Sequence, residues 1–530
     1  MKTKYVNAMK IKYMLATLLV LLFGMSSCDK GFVDINNNPQ GALTIEPMYE
    51  LASAQIIGTD QHHYEGEIAQ QIQLLIGGQE EGGNRNTVNQ GNMGGRFDFY
   101  FGTQVRNTVN IINRVKNDPQ KQNLYNMARI LKAHTFMILV DTYGDVPYTE
   151  AGLANISGIN LPIYDRQQDI YLDLEKELKE ATDALDATKD AVPGEIYFSG
   201  NIPRWKKYGN SLLLRLGMRY SKLDPTKAAA IVAIATDPAR GGVMSTNADN
   251  VIVKYNSVQN NTTNAFCQNS TKHNWFVSKP FIDFMQTNSD PRLQYIAFLL
   301  PDPSKAPASS NVANTTPASQ IGCPYGYKDV DIASAPGYPG PSSAGATYKY
   351  SQYNRNTVGR VDSWYYVITA AQTNLLMAEA QVRGWLPASI TTTAQVFYES
   401  GVKAHMSQAD MFATTNGGVS PITDAQATAY LAMPNIVYNA GTAIKQINEQ
   451  YWAASMLMWA EAWHNRERSG YPVLTKNFIS GQDASVTAGD GFIHRLMYTL
   501  KEMSANQVNT QAAADRIGGD KLGTRVFWDI

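Results

Sequence analysis

Residues 166–187 read RQQDIYLDLEKELKEATDALDA, and residues 203–222 read PRWKKYGNSLLLRLGMRYSK. In the first stretch Ile170, Leu174, Leu178, Ala181 and Leu185 recur three or four apart, while Asp173, Glu175, Lys176, Lys179 and Glu180 fall on the opposite side. That period predicts an amphipathic helix with one buried stripe and one solvated face. The second stretch opens on Pro203, favoured in a first helical turn, and runs through Trp205, Leu212, Leu216 and Tyr220. Two such helices joined by a short connection predict a packed helix pair, each burying the other's apolar stripe.

The same pattern recurs outward in both directions. Residues 104–117 and 121–141 predict a pair broken at Asn117-Asp118-Pro119, with Leu124, Met127, Leu131, His134 and Ile138 at helical spacing. Residues 364–383 (WYYVITAAQTNLLMAEAQVR) predict a helix ending at Gly384, and further helices are expected over 391–409, 443–466 and 490–502. A helix-pair unit of roughly 35–40 residues suggests tetratricopeptide-like stacking without a strict consensus. Between the arms, residues 224–363 are rich in Asn, Ser, Pro, Gly and Tyr. They hold short pieces such as Val251-Ile252-Val253 and a helix near 277–287. A long irregular insertion in a helical scaffold is where binding loops sit.

The N-terminus carries an export signal. Lys2, Lys4, Lys10 and Lys12 precede the apolar run Met14–Met25, followed at once by Ser26-Ser27-Cys28. Such a run fits a signal-peptide core, being shorter than the about 20 residues a membrane helix needs. The arrangement resembles a bacterial lipoprotein signal, with Cys28 as the lipidated first residue of the mature chain. Residues 1–27 are then a leader, 28–45 a tether and 46–530 a single domain. Past Cys28 no 18-residue apolar run occurs. Net charge is −1, from 45 basic and 46 acidic residues, so no strong field draws nucleic acid. Cys267 and Cys323 are left either to pair or to remain two buried thiols.

Signs of catalysis are few. Metalloprotease, nucleophile-elbow, phosphate-loop and dinucleotide motifs are absent. His62 and His63 are adjacent, which does not aim both at one metal. Asp34-x-Asn36-x-Asn38 imitates a calcium loop, but Pro39 and Ile45 stand where Gly and Glu are required. No cofactor is called for; calcium stays open without a complete ligand set. Asp141 and Asp145 are expected to terminate a helix and make a turn. Glu449 and Glu461, on one continuous helix, would lie about 18 Å apart, too far for a glycosidase pair.

Several motifs spread over the chain carry a family resemblance. They are Phe32-Val33-Asp34-Ile35-Asn36-Asn37-Asn38-Pro39, Asp141-Thr142-Tyr143-Gly144-Asp145-Val146-Pro147-Tyr148 and Asp290-Pro291-Arg292-Leu293. Further on come Leu375-Leu376-Met377-Ala378-Glu379-Ala380, Arg383-Gly384-Trp385, Tyr398-Glu399-Ser400-Gly401-Val402 and Ile447-Asn448-Glu449-Gln450. The tail has Arg468-Ser469-Gly470-Tyr471-Pro472 and Phe527-Trp528-Asp529. In order and coverage the chain resembles the SusD/RagB family of nutrient-binding surface lipoproteins, in its second SusD-like branch. The resemblance implies a mainly α fold: a superhelical scaffold of about four tetratricopeptide-like pairs (about 100–223 and 364–502) with a loop-rich insertion (about 224–363) carrying the binding face. It further implies a lipid-anchored protein on the outer face of the outer membrane. There it would act as the lid of a SusC/RagA-type TonB-dependent transporter barrel, with oligosaccharide or peptide cargo and no catalysis.

A sugar offers an apolar C–H face and a rim of hydroxyls, so aromatic rings with Asn, Gln, Asp and Arg beside them suit it. The loop 79–101 offers Asn84, Arg85, Asn86, Asn89, Arg96 and Tyr100. The insertion offers His273, Asn274, Trp275, Tyr325, Tyr327, Tyr338, Tyr350 and Tyr353, with Trp364 at its end. Trp275 and the Tyr325–Tyr353 loop are the expected stacking surface. Peptide cargo, a surface glycosidase and a purely structural repeat protein stand as competing readings.

Overall fold

Apolar spacing becomes helix packing along both arms of the chain, seen in a computed structural model that describes residues 45–56, 62–76, 81–256, 272–305, 313–342, 348–408 and 420–530. The leader, Cys28, the tether, the calcium-like Asp34–Asn38 run and Cys267 lie outside the described residues. Helices α1 (Pro47–Gln55) and α2 (His63–Ile68) precede α3 (Gln90–Tyr100), which passes through a π-helical turn (Phe101–Val105) into α4 (Arg106–Val115). The first arm continues with α5 (Gln122–Tyr143), α6 (Gln167–Ala184), α7 (Ile202–Arg219) and α8 (Pro225–Ala235). After α9 (Lys279–Thr287) the second arm holds α10 (Ala370–Val382), α11 (Ala394–Gln408), α12 (Asp424–Leu431), α13 (Ala443–Ala454) and α14 (Trp459–Ser469). Helices α15 (Leu500–Ala505) and α16 (Gln507–Arg516) follow near the C-terminus. Four sequential pairs pack face to face: α4 with α5, α6 with α7, α10 with α11, and α13 with α14. Helix α5 also packs on α6, α7 on α10, and α14 on α5 and α2, so residues 47–530 form one unit.

Strands are short and come in antiparallel pairs. β1 (Ile72–Leu74) pairs with β5 (Trp275–Val277), β2 (Val146–Pro147) with β3 (Tyr164–Asp165), β4 (Val251–Val253) with β8 (Tyr365–Ile368), and β6 (Ala297–Phe298) with β7 (Gln352–Tyr353). Three of these four ladders tie the insertion to itself or to the scaffold, which anchors its loops.

Several expectations are corrected. Residues 364–383 are not one helix: Tyr365–Ile368 is a strand, and α10 starts only after Thr369, whose side chain and Gln372 form a capping box. The 443–466 stretch is two helices broken at Ser455–Met458, with Leu457 at φ +66°. Instead of one helix over 490–502, α15 and α16 begin at Leu500 and Gln507. Helix α8 packs on α7, so helical scaffold continues past 224 to Ala235. Half of the expected loop 79–101 is α3, whose first turn is held by the Asn89 side chain accepting from the Asn92 N–H at 3.3 Å.

Charged pairs are buried between the helices. Asp141 does more than end a helix: it accepts from Arg219 Nε at 3.0 Å, from Trp528 Nε1 at 2.8 Å and from the Tyr171 hydroxyl. Arg219 reaches on to Glu461 at 2.7 Å, joining α5, α7 and α14. Asp145 accepts from the Gln167 N–H at 2.9 Å and pairs with Arg516 at 2.5 Å. Glu379 of α10 is gripped by Arg468 of α14 through two bonds of 2.8 and 2.7 Å, with Asn448 adding a third at 3.0 Å. Gly470 then ends α14 at φ +80°, a conformation glycine adopts without penalty.

Near the C-terminus His494 lies between carboxylates. Its Nδ1 is 2.6 Å from Asp529 and 2.8 Å from Glu467, and its Nε2 is 3.0 Å from Asp490. Burial alone would lower its pKa, but the bonds to Asp529 and Glu467 outweigh burial and lift it to about 10. A folded-state pKa raised above the unfolded 6.5 contributes stability that is complete below that value and is lost as pH rises through about 10. Unfolding measured across that window should therefore weaken with rising pH in the native protein, and much less in His494→Gln.

Candidate functional site

The Asn-rich stretch supplies structure before it supplies a surface. Arg96, 1% exposed, donates to Glu65 at 2.6 Å and to the Tyr100 hydroxyl at 2.7 Å, so both Arg96 and Tyr100 are spent inside the α2–α3 contact. Asn84 donates to Gln73 at 3.2 Å and to the Tyr327 carbonyl at 2.9 Å. Arg85 donates to the Gly326 carbonyl at 3.0 Å, to Asp331 at 2.8 Å and to the Ser480 carbonyl at 3.2 Å. Asn86 donates to Gln482 at 2.8 Å. All three are buried, and together they clasp the 325–331 loop to the 475–491 segment.

The candidate rings divide the same way. Trp275 sits in β5 opposite Leu74, is 4% exposed, and stacks on His63 with ring centres 3.9 Å apart. Tyr353 is buried, its hydroxyl donating to the Gln71 carbonyl at 3.1 Å. Tyr325 is half-buried and bonds the Gly83 carbonyl at 3.3 Å. Five of the eight Trp residues (205, 452, 459, 463, 528) are fully buried, so the indoles are mostly core filling. Trp364 is half-buried, with Lys254 Nζ 4.7 Å from its ring centre.

What remains accessible is a tyrosine edge. Leu75, Phe276, Cys323, Ile332, Ala335 and Tyr350 make a small apolar cluster separate from the main core, and the half-buried Tyr327, Tyr338 and Tyr348 pack over it. Tyr338 and Tyr348 meet edge-to-face at 6.3 Å. Beneath them the Tyr350 hydroxyl is buried with no hydrogen-bond partner. Tyr348 donates to the Asp329 carbonyl at 3.1 Å, which fixes its ring. Cys323 is a buried free thiol in this cluster, and burial raises its pKa well above the ordinary thiol value, so it is an apolar filler rather than a nucleophile.

One exposed ring escaped the sequence reading. Phe478 is 84% exposed, on a segment whose Asn477 and Ile479 press against Gly326. It therefore stands beside the loop that bears Tyr325 and Tyr327. Its only sequence signal is a lone Phe between Asn477 and the turn residues Ser480-Gly481. Gly326 itself has φ +92°, and a Cβ there would lie 2.7 Å from Asn477 Oδ1. Gly326→Ala is expected to destabilise the protein by about 1–3 kcal/mol, measured by denaturant unfolding, and to shift the Tyr325–Tyr327 loop.

Among the described residues one group could present three metal-ligating atoms within 4.8 Å: Glu467, His494 and Asp529. His494 is held there as an imidazolium, and Arg466 and Arg525 already pair with the two carboxylates at 2.6 and 2.7 Å. Both carboxylates are therefore already neutralised by arginine. Of the carboxylates flagged by sequence, Asp141, Asp145 and Glu461 are each paired with arginine.

With this geometry in place, the comparisons with known proteins decide the lineage. A family profile described as starch-binding and associating with the outer membrane, SusD-like, matches residues 34–498. The chain belongs to this SusD-like family. No curated protein matches it. Among solved structures, a chitin-binding protein is 28% identical, with 92% of this chain and 100% of that chain covered and a TM-score of 0.73. A SusD-like protein of Bacteroidetes AC2a is 27% identical with the same coverage and a TM-score of 0.74. A chitin-binding SusD homolog from Flavobacterium johnsoniae is 22% identical, with 94% and 98% covered and a TM-score of 0.67, and shares the fold. The mainly α SusD-like architecture is thus common to all three. Among the described residues of this SusD-like chain, no helix is long and apolar enough to cross a membrane.

Proposed function

We propose that the protein captures a glycan at the cell surface and delivers it, unmodified, to a SusC/RagA-type TonB-dependent transporter over which it acts as a lid. Cys28 would carry the lipid that holds it to the outer membrane. The observation that carries the glycan reading is the tyrosine edge: Tyr327, Tyr338 and Tyr348, half-buried over one apolar cluster. Half-buried tyrosines combine a fixed apolar face with a hydroxyl at the rim, which is what a pyranose offers in return. The chitin-binding relatives make an amino-sugar polymer a leading candidate cargo.

An open groove favours the peptide alternative. It measures about 770 Å³ between α9 and α12 and is lined by Gln286, Gln294 and Gln426 among others. Yet Gln286 already donates to the Pro317 and Gln320 carbonyls, and Gln426 caps α12, so two of its three amides are committed. The glycan reading is therefore preferred.

Calorimetry with a panel of oligosaccharides and peptides tests it. One glycan should bind, and Tyr338→Ala or Tyr327→Ala should weaken it by about tenfold, some 1.4 kcal/mol. Peptide binding alone would overturn the cargo; unchanged affinity in both variants would overturn the surface.

A further inference from the structure

Away from the tyrosine edge, the break between α13 and α14 borders a second cavity. Its inner volume is about 40 Å³. A cavity of about 10–15 Å³ holds one water and one of about 150 Å³ holds benzene, so this one admits a few heavy atoms and excludes a sugar ring. Its walls are mostly carbon, from Val358, Trp364, Met456 and Leu457. Leu457 holds φ +66°, which a bulky residue adopts only when its surroundings impose it. Strain of this kind gathers at ligand clamps.

Of the polar side chains that line the cavity, Gln408 and His405 have hydrogens to give. Gln408 is 9% exposed and its Nε2 has no hydrogen-bond partner. His405 accepts from Arg292 Nη1 at 2.8 Å through Nδ1, which puts the imidazole proton on Nε2. Burial and the adjacent Arg292 charge hold that ring neutral. Arg292 is itself saturated by Asp290, Tyr430 and Gln450, so the cavity carries no spare cation that would call for an anion. A small group with an apolar end and one acceptor oxygen fits these walls.

We propose that this cavity receives the acetamido group of an N-acetylated sugar, its methyl against Trp364 and Met456 and its carbonyl accepting from Gln408 and His405. The assignment rests on the glycan reading above and adds, apart from the tyrosine edge, a second contact for the same class of sugar. Gln408→Leu removes one donor and, because that amide is unpartnered, should leave folding intact.

The test uses the full chain in a non-glycosidic detergent, labelled with fluorotryptophan, with the Trp364 signal assigned through Trp364→Phe. Tri-N-acetylchitotriose, cellotriose and free acetamide are titrated separately. Tri-N-acetylchitotriose and acetamide should shift the Trp364 signal while cellotriose does not. Gln408→Leu should weaken the acetamido response about tenfold. A Trp364 signal that ignores both acetamido probes overturns the proposal, even where a glycan binds elsewhere. Equal response to cellotriose, or an acetamido response unchanged in Gln408→Leu, also overturns it. A Trp364 response to acetamide with no oligosaccharide bound would uphold the pocket and count against the glycan reading instead.

Discussion

Arg468→Ala is expected to lower the unfolding free energy by about 3 kcal/mol, the lower end of the cost of breaking a buried ion pair, because Arg383 still reaches Glu379. Glu379 is fully enclosed and receives two bonds from Arg468, while Asn448 and Asn465 fill the remaining positions of the same cluster. Removing the guanidinium leaves the Glu379 carboxylate with Arg383, at 2.9 Å, as its remaining arginine and takes a donor from Asn448 and Asn465. The pH dependence carries a second signature. Burial would raise the Glu379 pKa, but the charge of Arg468 and its bonds prevail and hold it at about 2. A depressed folded-state pKa contributes stability that is present above the unfolded value of 4.5 and is lost as pH falls through about 2. In Arg468→Ala acid unfolding should begin at clearly higher pH, measured by circular dichroism across an acid titration.

Arg219→Leu is expected to have an effect of similar size, about 3–5 kcal/mol, for a different arrangement. Here one arginine serves two carboxylates on different helices, Asp141 of α5 and Glu461 of α14, with the Tyr171 hydroxyl and Trp528 indole completing Asp141. Arg215 stands 3.4 Å from Glu461 and would still partner it. Among the described residues Asp141 has no second arginine, so the loss should fall mainly there. Asp141→Asn in the Arg219→Leu background should recover part of the stability. Thermal unfolding of the two single variants and the double variant measures that coupling.

These networks mark where sequence reading succeeds and where it stops. The amphipathic stripes of α6 and α7 and the pairing of the arms follow from the positions of Leu174, Leu178, Leu212 and Leu216. The family motifs point to the same architecture, and Glu379 and Arg468 are legible as scaffold. The 364–383 stretch misleads because its first residues, Trp-Tyr-Tyr-Val-Ile, are strand formers placed directly before a helix. The Thr369–Gln372 capping box is the signal that separates them. The break at Ser455–Met458 contains neither Gly nor Pro, so local chemistry does not announce it. For the site, residue type alone does not separate a clasp from a contact. Asn84, Arg85 and Asn86 have the side chains of a sugar site, yet the structure spends them on the 325–331 and 475–491 backbones. Trp275 goes to His63 in the same manner. The rings left facing outward are fixed by tertiary packing, which is why Phe478 emerges only from the fold.

The central claim is that this SusD-like protein holds a glycan on its tyrosine edge without cleaving it. Calorimetry with tri-N-acetylchitotriose, followed by chromatography of the recovered sugar, tests it most directly. Saturable binding, intact sugar afterwards and a diminished heat in the Tyr327→Ala/Tyr338→Ala double variant are expected. Shortened sugar, or undiminished heat in that variant, would contradict it.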